Sequence, residues 1–337
     1  MNKRIVWLDI LKIIACFCII YNHVGNYLFE YSGYCKGTVL FYSFFLALCK
    51  IGVPIFLMVS GYLLLGRADT YKKCFKRCLR VFVPLLIVSF IYYYLNNPFT
   101  IKGFLYSLIG GEIRKYLWYL YMIIVFYLLT PLLQKLIKVL DNKDYLMLFI
   151  LCFIIRGSAP FLSKYLDLNI SSNIITSLIP ITMCYYIFGN YLGKVKLCRK
   201  YFITSIIMFI VTVILLSMTV YIPYVENNVL EIDMCTCDNL LTILFSLSIF
   251  YIMRYLFSKK NFKEKTGLII STISGTTFGI YLLHNLVSYR IYNSGIIQSI
   301  FKFNNYLGIT SLVLACFILC GIVIYILKKI PIVKNYL

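Results

Sequence analysis

Residues 7–28 read WLDILKIIACFCIIYNHVGNYL, a run long enough to cross a bilayer as a helix, yet it carries Asp9, Lys12 and His23. Ionisable groups in hydrocarbon are rare and costly, so such groups are expected to face a protein interior or a wet path rather than lipid. At 100° per residue the three fall within about 60° of one another, on one face of the helix. Asp9 and Lys12, at i and i+3, can neutralise each other. His23 lies about 21 Å further along at 1.5 Å per residue, beyond direct reach of Asp9. That is the layout of a passage with a charged pair at one end and an imidazole towards the other.

The remainder of the chain sets the class. Of 337 residues 61% are hydrophobic and 13% charged, against about 45–50% and 25% in a soluble domain. The apolar residues fall in ten blocks, 5–28, 38–65, 79–96, 117–139, 145–162, 172–192, 202–222, 239–257, 268–288 and 308–327. Blocks of about twenty residues predict transmembrane helices, and so an all-α polytopic integral membrane protein of about ten spans rather than a barrel. The opening MNKRIVWLDI resembles the start of a signal peptide, but the apolar run continues past Asp9 and Lys12 with no small-residue cleavage site, so the segment is expected to be retained.

Lys and Arg set the orientation. GRADTYKKCFKRCLR, QKLIKVLDNKD, GKVKLCRKY and RYLFSKKNFKEK fall on one side, whereas the other side holds EYSGYCKG, NNPFTIKGFLYSLIGGEIRKY and the acidic VENNVLEIDMCTCDN. The positive-inside rule then places both termini in the cytoplasm, as an even number of spans requires. The net charge of +21 is spread over these connectors and not gathered on one soluble module, which argues against nucleic acid and for anionic lipid as its partner. Thirteen Cys are scattered without metal or disulfide spacing and read as small apolar side chains. Cys235 and Cys237, in CTC, are expected to face outward and leave redox chemistry open. No connector is long enough for a second domain, so residues 1–337 read as one. The charged first span has no counterpart in SSNIITSLIPITMCYYIFGNYLG, the sixth, which gives no support to the repeat expected of a transporter.

The second histidine, His284 in GTTFGIYLLHNLVSY, also falls within a span. Imidazole titrates near neutrality and can take a proton from a hydroxyl attacking an acyl carbon. Neither histidine sits in a Gly-x-Ser-x-Gly elbow or a His/Cys/Glu ligand set, which disfavours a serine hydrolase and a metal site. In KKCFKRCLRVFVP, Arg77 and Arg80 stand at i and i+3 where the third span begins; a topogenic cluster or a clamp for the phosphates of a cytoplasmic cofactor both explain them. IGVPIFLMVSGYLLL carries Gly52, Pro54 and Gly61, which bend a span or admit a close neighbour. Trp118, in RKYLWYLYMII, is by default an interfacial anchor.

In this order the motifs resemble those of membrane acyltransferase family 3, whose members O-acylate cell-surface sugars and related molecules. LDILK and YNH match its Leu-Asp, basic residue and His; IFLMVSGYLLL, with Ser60, Gly61 and Tyr62, matches its Ser-Gly-aromatic segment. Arg77, Arg80 and Pro84 match an Arg-x-x-Arg before a Pro, LWYL matches a Trp-aromatic-Leu, and Tyr281 with His284 matches a Tyr-Leu-x-His in the penultimate span. The family usually has Arg where this chain has Lys12, which offers a point charge without the planar fork.

The resemblance implies a stand-alone plasma-membrane O-acyltransferase that uses acetyl-CoA and no metal, with an envelope polysaccharide or its lipid-linked precursor as acceptor. It implies His23 and Asp9 as catalytic, Lys12, Arg77 and Arg80 as donor-binding, and Ser60, Trp118, Tyr281 and His284 as substrate or structural support. Two other functions fit the polar first span: a transporter or flippase for a lipid-linked sugar, and an inactive partner in a polysaccharide assembly complex, for which Lys12 is the best argument. The sequence leaves open the acceptor, the acyl group and the oligomeric state.

Overall fold

The computed structural model describes residues 5–336 except 97, 99 and 167–179. Every regular element among the described residues is helical. Among the described residues nine stretches are long and apolar enough to cross a membrane: Val6–Glu30, Lys36–Leu65, Tyr71–Asn96, Lys115–Val139, Asn142–Lys164, Arg199–Asn227, Leu240–Phe257, Glu264–Tyr292 and Asn305–Leu327. The expected block 172–192 lies partly outside the described residues; its described part is the helix Ile181–Lys194, taken here as the sixth of ten spans. The protein is therefore an all-α, multi-pass membrane protein. Lys334 and Tyr336 line the same cavity as Lys12, which puts the two ends of the chain at one end of the bundle, as an even number of crossings demands.

The first span is the most enclosed of the nine. It packs against the second, eighth, ninth and tenth spans, so its polar face looks into protein. Apolar side chains of the peripheral helices, such as Ile87, Ile207, Ile214 and Ile322, stay exposed, the sign of a surface turned to lipid rather than water.

Three irregularities shape the interior. The second span is two half-helices, Lys36–Cys49 and Gly52–Leu65, broken at Lys50 and Ile51. Pro54, in the first turn of the second half, tolerates that position because the first backbone N–H groups of a helix lack partners anyway. Gly52 lets the break press against the first span, where a Cβ would stand 2.6 Å from Ile19 Cγ1 and 3.1 Å from the Ala15 carbonyl oxygen. The fourth span opens with a 3-10 turn, Lys115–Leu117, before Trp118–Val139. The fifth is interrupted by a π-helical stretch, Ile150–Ile155. Irregular backbone at membrane depth is tolerated where it is buried in protein or lines a cavity, and the first two of these breaks do line one.

The second half of the second span meets the sixth span backbone to backbone. A Cβ on Gly61 would lie 1.7 Å from the Tyr186 carbonyl oxygen, and one on Gly189 would lie 2.0 Å from that of Met58. Paired small residues admit this approach, and it fixes Ser60 beside the cavity described next.

Candidate active site

At the basic end of the bundle a cavity of about 590 Å³ opens between the first, second, third, fourth, ninth and tenth spans. Five cations line it: Lys12, Arg77, Arg80, Lys328 and Lys334. Ser60 lines it too, and aromatic rings deepen it through Tyr119, Tyr127 and Tyr281. Lys12 donates to Asp9 Oδ1 at 3.2 Å, and the Ser274 hydroxyl donates to the same oxygen at 2.6 Å. Asp9 is itself buried and lines neither cavity. It fixes Lys12 at the cavity wall, with the Coulomb attraction offsetting the cost of holding an ammonium in the bundle.

Arg77 donates from one guanidinium nitrogen to Asp69 Oδ2 at 2.8 Å. Gln134 brackets Asp69, accepting from its backbone N–H at 2.9 Å and donating to the Leu64 carbonyl at 2.7 Å. Burial alone would raise the Asp69 carboxyl, but the hydrogen bond and charge of Arg77 outweigh it and hold the group below its usual range. Asp69 therefore stays anionic and aims Arg77. Arg80, one turn on, lines the cavity with no ion-pair partner among the described residues.

A second cavity, of about 300 Å³, lies towards the opposite end. His23, Asn22 and Lys50 line it with Tyr116, Trp118 and the Cys235–Cys237 loop. The His23 ring faces His284 at a centroid distance of 5.0 Å and Tyr116 at 5.7 Å. His284 is fully buried, its Nδ1 lies 2.6 Å from the Tyr281 carbonyl, and its Nε2 has no hydrogen-bond partner among the described residues. Because a carbonyl only accepts, Nδ1 carries the proton in neutral His284, which leaves a lone pair on Nε2. The thiols of Cys235 and Cys237 are free; Cys235 is buried and Cys237 partly so.

Tyr281 belongs to both cavities. Its hydroxyl donates to the Tyr116 carbonyl, and the Tyr116 hydroxyl donates to the Leu282 carbonyl at 3.2 Å, a reciprocal brace between the 3-10 turn and the ninth span. The partition between the cationic cavity and the histidine cavity is thus one aromatic side chain thick at this point.

The structure brings Lys12, Ser60, Arg77, Arg80 and Tyr281 together on one cavity, and His23, Trp118 and Tyr281 on the other, with His284 behind His23. Trp118 remains 44% exposed, so cavity lining and interfacial anchoring coexist in it. Reading the residues in order missed Lys50, Tyr116, Asn22, Lys328 and the Asp69–Gln134 bracket. Lys50 had a signal, a lone ammonium halfway through an apolar block; the others had none, because their role depends on which helix they meet.

No curated protein and no solved structure matches this chain. A family model described as an acyltransferase domain matches residues 5–326, nearly the whole length. The chain belongs to acyltransferase family 3, and its helical bundle is an acyltransferase domain.

Proposed function

We propose that the protein transfers an acetyl group from cytoplasmic acetyl-CoA, at the basic end, to a hydroxyl of an envelope polysaccharide or its lipid-linked precursor at the opposite face of the plasma membrane. The observation that carries this reading is Tyr281, shared by a cavity rich in cations and a cavity holding the histidine. Acetyl-CoA supplies an activated thioester at the end of a long arm and a cluster of phosphates at the other. Arg80, Arg77 and Lys12, with Lys328 and Lys334 beside them, suit those phosphates: Arg as a fork, Lys as a point charge.

The arm then follows the aromatic lining towards Tyr281. On the far side His23 accepts the proton of the acceptor hydroxyl as its oxygen bonds to the acyl carbon; the carbon–sulfur bond breaks and the leaving thiolate takes up a proton. His284, with its lone pair on Nε2, sits where it can steady the protonated His23. Asp9 serves the donor side by holding Lys12, and Trp118 offers a flat apolar wall of the kind that stacks on a sugar ring. The brace from Tyr281 to Tyr116 keeps the two sides separate when no arm passes, which favours transfer over an open transport path.

The test is sidedness. In proteoliposomes with envelope glycan confined to the face opposite the basic end, labelled acetyl-CoA should yield acylated glycan only when supplied at the basic end. Product formed only with donor and acceptor on the same face would overturn the reading, and glycan movement without acetyl-CoA consumption would favour a flippase.

A further inference from the structure

The histidine cavity holds a cation with no ion-pair partner among the described residues. Lys50 sits at the break between the two halves of the second span, halfway across the bundle, and lines the cavity beside His23 and Asn22. Among the described residues no hydrogen bond or ion pair reaches its ammonium, and no Asp or Glu lines the cavity. Of the acids in the adjoining loop, Asp238, next to Cys237, pairs with Arg156 at 2.6 Å, Glu231 pairs with Lys164 at 2.5 Å, and Asp233 is exposed and does not line the cavity. An ammonium at that depth is costly unless something charged or strongly polar meets it. A second polar group is also left over. Asn22 donates through Nδ2 to the Cys49 carbonyl at 2.7 Å, which fixes the amide's orientation, and its Oδ1 is buried without a partner.

We infer that this cavity is built for an acceptor bearing an anionic oxygen, a carboxylate or a phosphate, which Lys50 holds while Asn22 Oδ1 accepts from a neighbouring hydroxyl and His23 faces the hydroxyl to be acylated. The inference rests on the acyl-transfer reading only in calling the ligand an acceptor; the anion site stands on Lys50 and Asn22 alone. It narrows the substrate class from glycans in general to acidic glycans, whose charge comes from a uronic acid, or to phosphate-linked lipid precursors. Lys50 acts as a specificity-determining residue, because a neutral sugar leaves its half-buried ammonium without a charged partner in the cavity.

The probes are methyl glucuronide, polyprenyl diphosphate-linked glucose and the neutral methyl glucoside, titrated against the full-length protein in nanodiscs. Trp118 lines the cavity and one other tryptophan, Trp7, is buried elsewhere, so quenching of Trp118 fluorescence reports occupancy. At least one anionic probe should bind about 10-fold or more tighter than the glucoside, the scale of one charge-assisted hydrogen bond. Which of the two does so tells carboxylate from phosphate. Lys50→Gln should erase the preference and Lys50→Arg should keep most of it. Equal binding of all three, no binding of either anionic probe, or an intact preference in Lys50→Gln would overturn the inference and leave Lys50 solvated by water. Should Lys50→Gln fail to insert, the ranking of the three probes on the unmodified protein decides alone. Acetyl-CoA consumption, measured separately, tells the two claims apart: anionic probes that bind a protein unable to consume acetyl-CoA would refute acyl transfer and leave the anion site standing.

Discussion

Gly61→Ala tests the packing that seats Ser60 beside the cationic cavity. The added Cβ would stand 1.7 Å from the Tyr186 carbonyl oxygen, 2.7 Å from its carbonyl carbon and 3.1 Å from its Cα, all of them backbone. Ordinary carbon–oxygen contact is about 3.3 Å or more, so the second and sixth spans must part by about 1.5 Å, with no side-chain rotation to relieve them. Overpacking of this kind costs about 1–3 kcal/mol and here belongs at the upper end. For a chain of 337 residues, that upper end is a fall of about 4 °C in the midpoint of thermal unfolding. Because Ser60 precedes Gly61 and lines the basic-end cavity, the KM for acetyl-CoA should rise in the same variant. Gly267→Ala is the matched control: its nearest neighbour would be Val6 Cγ2 at 3.8 Å, an ordinary contact, and in a helix it should gain about 0.5–1 kcal/mol. Differential scanning fluorimetry of both in one detergent decides. A Gly61→Ala protein as stable as the unmodified one would refute the backbone contact and the seating of Ser60 with it.

Topology is read best through Cys35, which is exposed beyond the first span and hydrogen-bonded to the Thr38 hydroxyl at 3.0 Å; that bond holds its thiol below the ordinary value. A membrane-impermeant maleimide on intact cells should label Cys35 and spare Cys198, Thr38→Val should slow the labelling several-fold near neutral pH, and labelling of Cys198 would reverse the orientation. Asp9→Asn should lower stability and turnover together, by about 1–3 kcal/mol after allowing for the partial exposure of Lys12, because it removes the counter-charge from that ammonium; unchanged unfolding would show that the pair is incidental. Arg80→Gln should raise the KM for acetyl-CoA about 10-fold with no change in unfolding, whereas Arg77→Gln should also destabilise, since Asp69 would be left buried without its partner. Equal behaviour of the two variants would contradict the division of labour between them.

Fold class and family, with nine of the ten expected spans, were legible because hydrocarbon imposes a long apolar period that few other folds share; the sixth block lies partly outside the described residues. Polar residues inside the first span stood out as candidates for the same reason: their cost in hydrocarbon singled them out. The partner helices were not. Asp9 meets Ser274, and Tyr281 meets Tyr116, across 265 and 165 positions of sequence, a pairing that depends on the order of helices in the bundle. Helix ends were displaced where the motif was ambiguous. The basic stretch from Tyr71 belongs to the third helix, which begins well before the apolar block expected to start at 79, because Lys and Arg are good helix formers outside the membrane as well as topogenic signals. Lys50 was overlooked beside Gly52 and Pro54, although the break they create is what brings it to the cavity.

The measurement that bears most directly on the account is turnover per correctly inserted molecule in His23→Gln. His23 lines the cavity opposite the cations and faces His284, and Gln keeps a hydrogen-bonding side chain there. If His23 takes the acceptor's proton, acetyl-CoA should bind as before at the far cavity while acyl transfer falls by about 100-fold or more. Turnover within a few-fold of the unmodified protein, with acceptor and donor saturating, would contradict it.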